Sequence, residues 1–478
     1  MTAAVAFMLA VLAAAVVPSV RPTGLFRDFE AFYCAGESVR LGADPYLAEP
    51  LGACERRPKP EPIIAGTAGL AMPAPVPPFA LLPFRVLSLL PFVPAIALWL
   101  LVITAGVAVS VWAVYRFTGL PWPAIALGFA LSDGYASLCL GQIAPLAIAA
   151  IALAGWLLSE KRDVSAACAA ACSMIEPHIG LPACAALFLY RSRARLPLAA
   201  IAAGLVLASI AATNLATTIE YVRAVVPAHA LSEIANEKQF SLTYFLHRVG
   251  VNDELALHAG ELWYAGMLAI GLAVSGRIAR RTNAAAIVTI PPALAVLGGP
   301  FVHIAQIAAA LPAAFLLYAY GPPRLRRATG IAIAALAIPW IQFANIGTIS
   351  IPVSAFVVAL LVLTFVDERP PVALAAGAAT VGLFTWAIAL VKPLMDPSAI
   401  LAAHYDPHAL AEASWTLFVR TIGTGNATAF DLVKLPTIAA LCAVAYVTLV
   451  EANAASGTLT HVALGGKEAA PSRRTSDA

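Results

Sequence analysis

Charge is what this chain has least of. Asp, Glu, Lys and Arg together make up 12% of its 478 residues, where a soluble domain carries about 25%. That shortage excludes a protein that keeps its whole surface in water. No tract of basic residues occurs and the net charge is only +3, so the electrostatic footprint of a nucleic-acid binder is missing. Apolar and polar residues do not alternate in runs of about ten, which excludes a membrane barrel. No internal repeat stands out, which weighs against an inverted-repeat transporter. The opening apolar run has no positively charged start and ends in VVPSVRP without an A-x-A site. It reads as a retained first span, with a cleaved signal peptide as the lesser reading.

What is present is apolar length. Hydrophobic residues make up 61% of the chain and the mean hydropathy is +0.85. Apolar stretches lie at 3–20, 93–115, 121–138, 143–158, 164–175, 179–190, 196–217, 256–276, 283–299, 304–320, 328–343, 351–366, 371–391 and 436–450. The pair flanking Glu176–Pro177–His178 is too short to cross twice and reads as a re-entrant helical hairpin. Roughly twelve full crossings remain, since a span needs about 20 residues. The expectation is an all-α polytopic membrane protein, one transmembrane domain over 1–451 and a flexible tail at 452–478.

Placing the N-terminus in the cytoplasm puts Arg116, Lys161, Arg162, Arg191, Arg193, Arg195, Arg277, Arg280, Arg281, Arg324, Arg326, Arg327, Arg369, Lys467, Arg473 and Arg474 on the inside. This satisfies the positive-inside rule. Both termini are then cytoplasmic, in a multi-pass plasma-membrane protein. Three long outside segments follow, at 21–92, 218–255 and 392–435, positioned to cap a site on the outer face.

The first of these carries DFEAFYCAGESVRLGADPY, Asp28 to Tyr46. Asp28 reads as a helix N-cap, Gly42 as the stop and Asp44-Pro45 as a turn. Phe29, Phe32, Tyr33 and Gly36 share a face, as on an interfacial helix with its aromatics towards lipid or the bundle. A carboxylate held at a membrane surface points to function, although capping and catalysis are both open to Asp28. Of seven cysteines, Cys139, Cys168, Cys172, Cys184 and Cys442 fall in or beside spans and read as small core residues. Cys34 and Cys54 share the outside loop, where a bridge would clamp the Asp28 helix; the sequence leaves bridge and free thiols open.

This loop resembles that of glycosyltransferase family 87, through its Asp-Phe, paired aromatics and Gly-x-Asp-Pro-Tyr. Further likenesses follow in order. They are PPFALLPFRVLSLLP (77–91), GQIAPLAIAAIALAGWLL (141–158), IEPHIGLPACAALFLYRSR (175–193), NEKQFSLTYFLHR (236–248) and GGPFVHIAQIAAALP (298–312). The chain departs from the family at Glu176, where Lys is usual, in having one His, His303, where two are frequent, and in its altered Asn-Gln pair, NEKQF.

The resemblance implies a GT-C-type bundle whose outside loops bear interfacial helices. It implies transfer of a hexose, mannose in the typical members, from a polyprenyl-phosphate donor to a lipid or glycan acceptor, with inversion. Asp28 is then the candidate base. His303, Arg248, Lys238, His178, Glu176, Tyr33 and Gln142 are the candidates for holding donor phosphate or substrate, with His303 first. The bilayer is the remaining partner, and no cofactor or metal is expected. His404, Asp406 and His408, in H-Y-D-P-H, read as a turn before a metal site, and Asp133 and Asp253 read as caps. A transporter of lipid-linked sugar and a lipid-linked oligosaccharide ligase are the alternatives. The polar residues concentrate in outside loops, which favours the transferase, and only Glu176–His178 fits a transporter better.

Overall fold

The computed structural model describes residues 26–57, 71–130, 132, 135–338, 340, 406–422 and 427–464. The expected spans at 3–20, 351–366 and 371–391, together with Asp133, His404 and the end of the tail, lie outside them. The described residues are mostly helical, with no strand among them beyond one isolated bridge, Leu47 to Leu410.

Among the described residues four helices are long and apolar enough to cross a membrane: Phe92–Thr118, Ser192–Ala212, Asp253–Arg281 and Phe430–Ala454. At about 1.5 Å per residue each reaches the ~30 Å of a hydrocarbon core. We label the first three α4, α10 and α14. The fourth is part of α20 (Ala427–Leu464).

Other expected spans hold shorter helices or changes of helix type among the described residues. The stretch 121–138 carries α5 (Trp122–Phe129) and α6 (Tyr135–Leu140), with π-helical residues at 130 and 132 between them. The stretch 283–299 yields α15 (Ala286–Ala295), and 304–320 stays helical through α16 (Ile304–Ile307), a 3-10 turn and α17 (Leu311–Tyr320). Apolar length does not reveal such changes, because residues packed inside a bundle stay apolar on every face. A large core joins α4, α5, α14, α15, α17 and α20 with α7 (Ala144–Ser159) and α18 (Arg326–Ala337). Around Glu176 two short helices, α8 (Asp163–Cys172) and α9 (Pro177–Tyr190), pack as a hairpin joined by a 3-10 turn. Each arm is about 20 Å or less by the helical rise, too short to span.

The first outside segment forms α1 (Arg27–Leu41), α2 (Ala48–Glu55) and α3 (Leu82–Leu87). The amphipathic reading of α1 is corrected: every residue from Phe29 to Val39 is buried, Glu30 and Glu37 included. Two features account for this. Gly36 lies so close to α3 that a Cβ there would meet the Phe84 carbonyl carbon at 2.3 Å. Cys34 and Cys54 form a disulfide, with Cα atoms 5.6 Å apart, which closes α2 over the opposite side. Glu37 meets Arg57 at 2.8 Å and Arg40 at 3.4 Å, so its burial is ion-paired.

The late outside segment straps onto the first. Ala48 donates to the Ala409 carbonyl at 2.8 Å and Ala411 to that of Tyr46 at 2.9 Å. Gly42 ends α1 in the left-handed conformation, φ 73°, and Asp44 accepts from the Tyr46 amide at 2.9 Å, both as the sequence implies. The His408 amide donates to Asp406 at 2.9 Å, the turn expected of H-Y-D-P-H. Asp253 is not a cap: Asn252 caps α14, and Asp253 accepts from His247 at 2.7 Å.

Candidate active site

Asp28 is not the N-cap of α1. Phe26 holds that position in the left-handed conformation, φ 60°, and its carbonyl accepts from the Glu30 amide at 2.9 Å. The helix therefore starts early enough to put Asp28 in its first turn, where a negative charge still suits the helix dipole. Its carboxylate is released from capping and accepts instead from the Gln142 side-chain amide.

Gln142 arrives there on a glycine turn. Gly141 adopts φ +74°, and a Cβ on it would lie 2.5 Å from that of Phe29. The amides of Gly141 and Gln142 both close onto the Ser137 carbonyl, at 2.7 and 3.0 Å. Trp99 fixes the turn from the side, donating to the Gly141 carbonyl at 2.8 Å.

Facing Asp28 is a chain of polar side chains from four further segments. His303 caps α16, and Gln306 returns a bond to the His303 amide at 2.8 Å. Gln306 also bonds Glu176 and His178 at the hairpin tip, and those two lie 3.5 Å apart. On the other side, the Gln239 amide nitrogen rests 2.9 and 3.1 Å from the ring nitrogens of His303 and donates to Glu233 at 2.6 Å. Glu233 also accepts from Asn236 at 2.7 Å and from the Trp415 indole at 2.5 Å. Phe301 packs against His178, His229 and His303, with centroids at 5.3, 5.0 and 6.5 Å.

The electrostatics follow from depth. Burial raises Asp28's carboxyl above the ordinary range, although His303, Gln142 and Arg27 pull it down. Burial opposes the charge on Glu233 too, but His303, His229, Trp415 and Asn236 outweigh it and hold that carboxyl below its usual range. His229 is pushed down to about 4 by burial and is neutral at physiological pH. Burial and the neighbouring Arg27 lower Lys238. Lys238 is nevertheless exposed and Asp28 partly so, although protein packs densely around both. Both side chains therefore keep surface open to a ligand within dense surroundings, and we infer that this recess is the candidate cleft.

Of the eight candidates named from sequence, six fall in this cluster: Asp28, Gln142, Glu176, His178, Lys238 and His303. Two are placed elsewhere. Tyr33 donates to the Leu90 carbonyl at 2.8 Å and packs on Phe29 and Phe92. Arg248 pairs with Asp431 at 3.2 Å, beside Lys434 and Tyr244.

Four residues of the site escaped the sequence reading: Arg27, His229, Glu233 and Trp415. The H-x-x-x-E spacing of His229 and Glu233, which puts both on one helical face, was the available signal. Arg27 adjoins Asp28 and stacks on Phe418 at 5.0 Å, and its buried Nε has no hydrogen-bond partner among the described residues. One ligand atom each from His229, Glu233 and His303 lie within 4.8 Å of one another, a spacing that could hold a metal ion.

A helical membrane protein with a carboxylate, cations and imidazoles around one cleft is equipped for transfer chemistry on a lipid-borne substrate. The comparison with known families specifies the class: residues 76–299 match the model of glycosyltransferase family 87. The matched segment holds the Gly141–Gln142 turn, the Glu176 hairpin and Lys238. Over that segment the chain is similar to the family, and the protein is a membrane glycosyltransferase, with the sugar donor, acceptor and bilayer that such an enzyme requires. No curated protein matches the chain.

Proposed function

We propose that the protein moves a hexose, mannose by the family resemblance, from a polyprenyl phosphate to a lipid or glycan acceptor on the outer face of the plasma membrane. The observation that carries this is Asp28. It is a carboxylate of raised basicity, open to a cleft, with Arg27, Lys238 and His303 near enough to influence its charge or one another's.

In the proposed step the acceptor hydroxyl oxygen attacks the anomeric carbon while its proton passes to Asp28. The bond from that carbon to the phosphate oxygen breaks, and its electron pair leaves on the phosphate. Arg27, Lys238 and His303 offset the charge that develops there. One displacement inverts the anomeric centre. Gln142 orients the base.

Glu176 sits where the family usually has a cation. It is bonded to Gln306 and close to His178, which suits binding of sugar hydroxyls. The Cys34–Cys54 disulfide supports an outer-face site, because disulfides persist on the oxidising side. Our reading of the bundle keeps the roughly twelve crossings implied by span length, with the α8–α9 hairpin re-entrant.

The test is donor choice. Purified protein in nanodiscs is given radiolabelled polyprenyl-phosphate mannose or a nucleotide-activated mannose, with membrane lipid extract as acceptor. Consumption of the polyprenyl donor alone, giving an α-linked product from a β-linked donor, is the expected result. Consumption of the nucleotide sugar alone, or a retained anomer, overturns the proposal.

A further inference from the structure

We propose that His229, Glu233 and His303 form a binding site for one divalent transition-metal ion at the wall of the cleft. His229 lies on α12 (Val226–Ser232) and Glu233 follows it by four residues, so both project from one face. His303 approaches from the start of α16. The His303 Nε2 atom is already 3.6 Å from Glu233 Oε2. That is close to the ~3.3 Å that separates two ligands of a tetrahedral zinc with bonds of about 2.05 Å. The third atom lies within 4.8 Å of both; the Gln239 amide nitrogen, 2.9 Å from His303 Nε2 and 2.6 Å from Glu233 Oε2, lies between the two ligand atoms and turns aside when an ion enters.

Two observations independent of that spacing point to a cation-binding site. The Asp28 carboxylate is near enough to those of Glu233 and Glu176 for their charges to act on each other pairwise. Near them, the buried Nδ1 of His229 and Nε2 of His178 have no hydrogen-bond partner among the described residues. His229 is only 6% exposed, and a buried nitrogen left without a partner is costly.

The surroundings are those of a metal centre. Trp415 and Asn236 both donate to the Glu233 carboxylate, and fixed outer partners of this kind orient a ligating carboxylate. Two imidazoles and one carboxylate suit Zn2+ or Mn2+ and leave coordination positions free. A phosphate oxygen could occupy one of them. This use of the ion rests on the transferase reading above, whereas the site itself does not.

The experiment uses the full-length protein, purified in detergent and stripped with chelator. Mn2+ is titrated in and its free signal followed by electron paramagnetic resonance, with Zn2+ as competitor. The expected result is about one saturable Mn2+ per chain, displaced by Zn2+. His229→Ala and Glu233→Gln should each weaken it by more than about 100-fold, and Trp415→Phe by about 10- to 100-fold. Thermal unfolding in chelator checks that the variants fold, and Trp415→Phe, which leaves all three ligands in place, serves if the others do not. Wild-type protein that holds no more Mn2+ than the His229→Ala, Glu233→Gln double variant overturns the site. Metal bound by protein that turns over no donor supports the site and counts against the transferase reading alone.

Discussion

Replacing Asp28 with Asn separates the base from its scaffold. Asparagine keeps the shape and an oxygen that still accepts from Gln142, so α1 and the glycine turn remain docked. What is lost is the proton acceptor. General base catalysis contributes about 10²- to 10⁴-fold, or roughly 3–5 kcal/mol of barrier. Turnover of polyprenyl-phosphate mannose by Asp28→Asn should fall by that factor with little change in KM.

Stability moves the other way. The folded state holds the Asp28 proton to higher pH than the unfolded chain, because burial raises its pKa. The stabilisation from that proton is complete below the ordinary carboxylate range and is lost as pH rises through the raised value. Above the raised pKa the ionised, desolvated carboxylate burdens the fold, and there the Asn variant should melt no lower than the wild type. In the wild-type enzyme kcat/KM should climb with pH through a midpoint above the ordinary Asp value. A purified Asn variant with more than a third of wild-type turnover, or an acid limb at or below the ordinary Asp range, refutes the assignment.

The remaining predictions concern how the site is held. Gly141→Ala requires a left-handed alanine and a Cβ 2.5 Å from Phe29, together roughly 2–5 kcal/mol; a lower melting temperature and strongly reduced turnover should be seen by thermal shift and donor consumption. Cys54→Ser opens a loop whose ends are 20 residues apart, worth about 3 kcal/mol by the chain-entropy relation; faster proteolysis of the first outside segment is the readout. Arg27→Gln and Lys238→Gln each remove a cation from the cleft, and each should raise KM for the lipid phosphate about tenfold or more, the worth of a hydrogen bond to a charged group, as read from initial rates against donor concentration. Equal KM values in both variants and wild type would count against the phosphate assignment.

The membrane class was legible because hydrocarbon imposes composition directly: a span must be apolar whatever it packs against. The start and stop of α1 were half legible. Gly42 and Asp44 act within their own turn, so local chemistry decides them. The N-cap was misplaced because Phe26 reaches a backbone conformation unusual for a non-glycine residue, which nothing in residue type announces. The faces of α1 were misread for a different cause. A hydrophobic pattern describes one helix, whereas the burial of Glu30 and Glu37 depends on α2, α3 and the strap at 407–411, all from elsewhere in the chain. The same holds for Glu233. Its partners Trp415 and His303 are 182 and 70 residues away, and only folding brings a late loop to an earlier one.

Glu176 shows how a change of charge at one position is absorbed by the site as a whole. On the transferase reading the family's hairpin cation would meet the donor phosphate, and a carboxylate there alone would repel it. Here that carboxylate is turned to Gln306 and His178. The positive charge instead enters the cleft from Arg27 and Lys238, which carry like charge and press on each other. Two like charges held near each other raise the free energy of the site, and an anion beside them relieves it. Their mutual repulsion thus favours phosphate over a neutral headgroup, so inorganic phosphate or pyrophosphate should inhibit the wild type competitively against donor and inhibit Arg27→Gln much less.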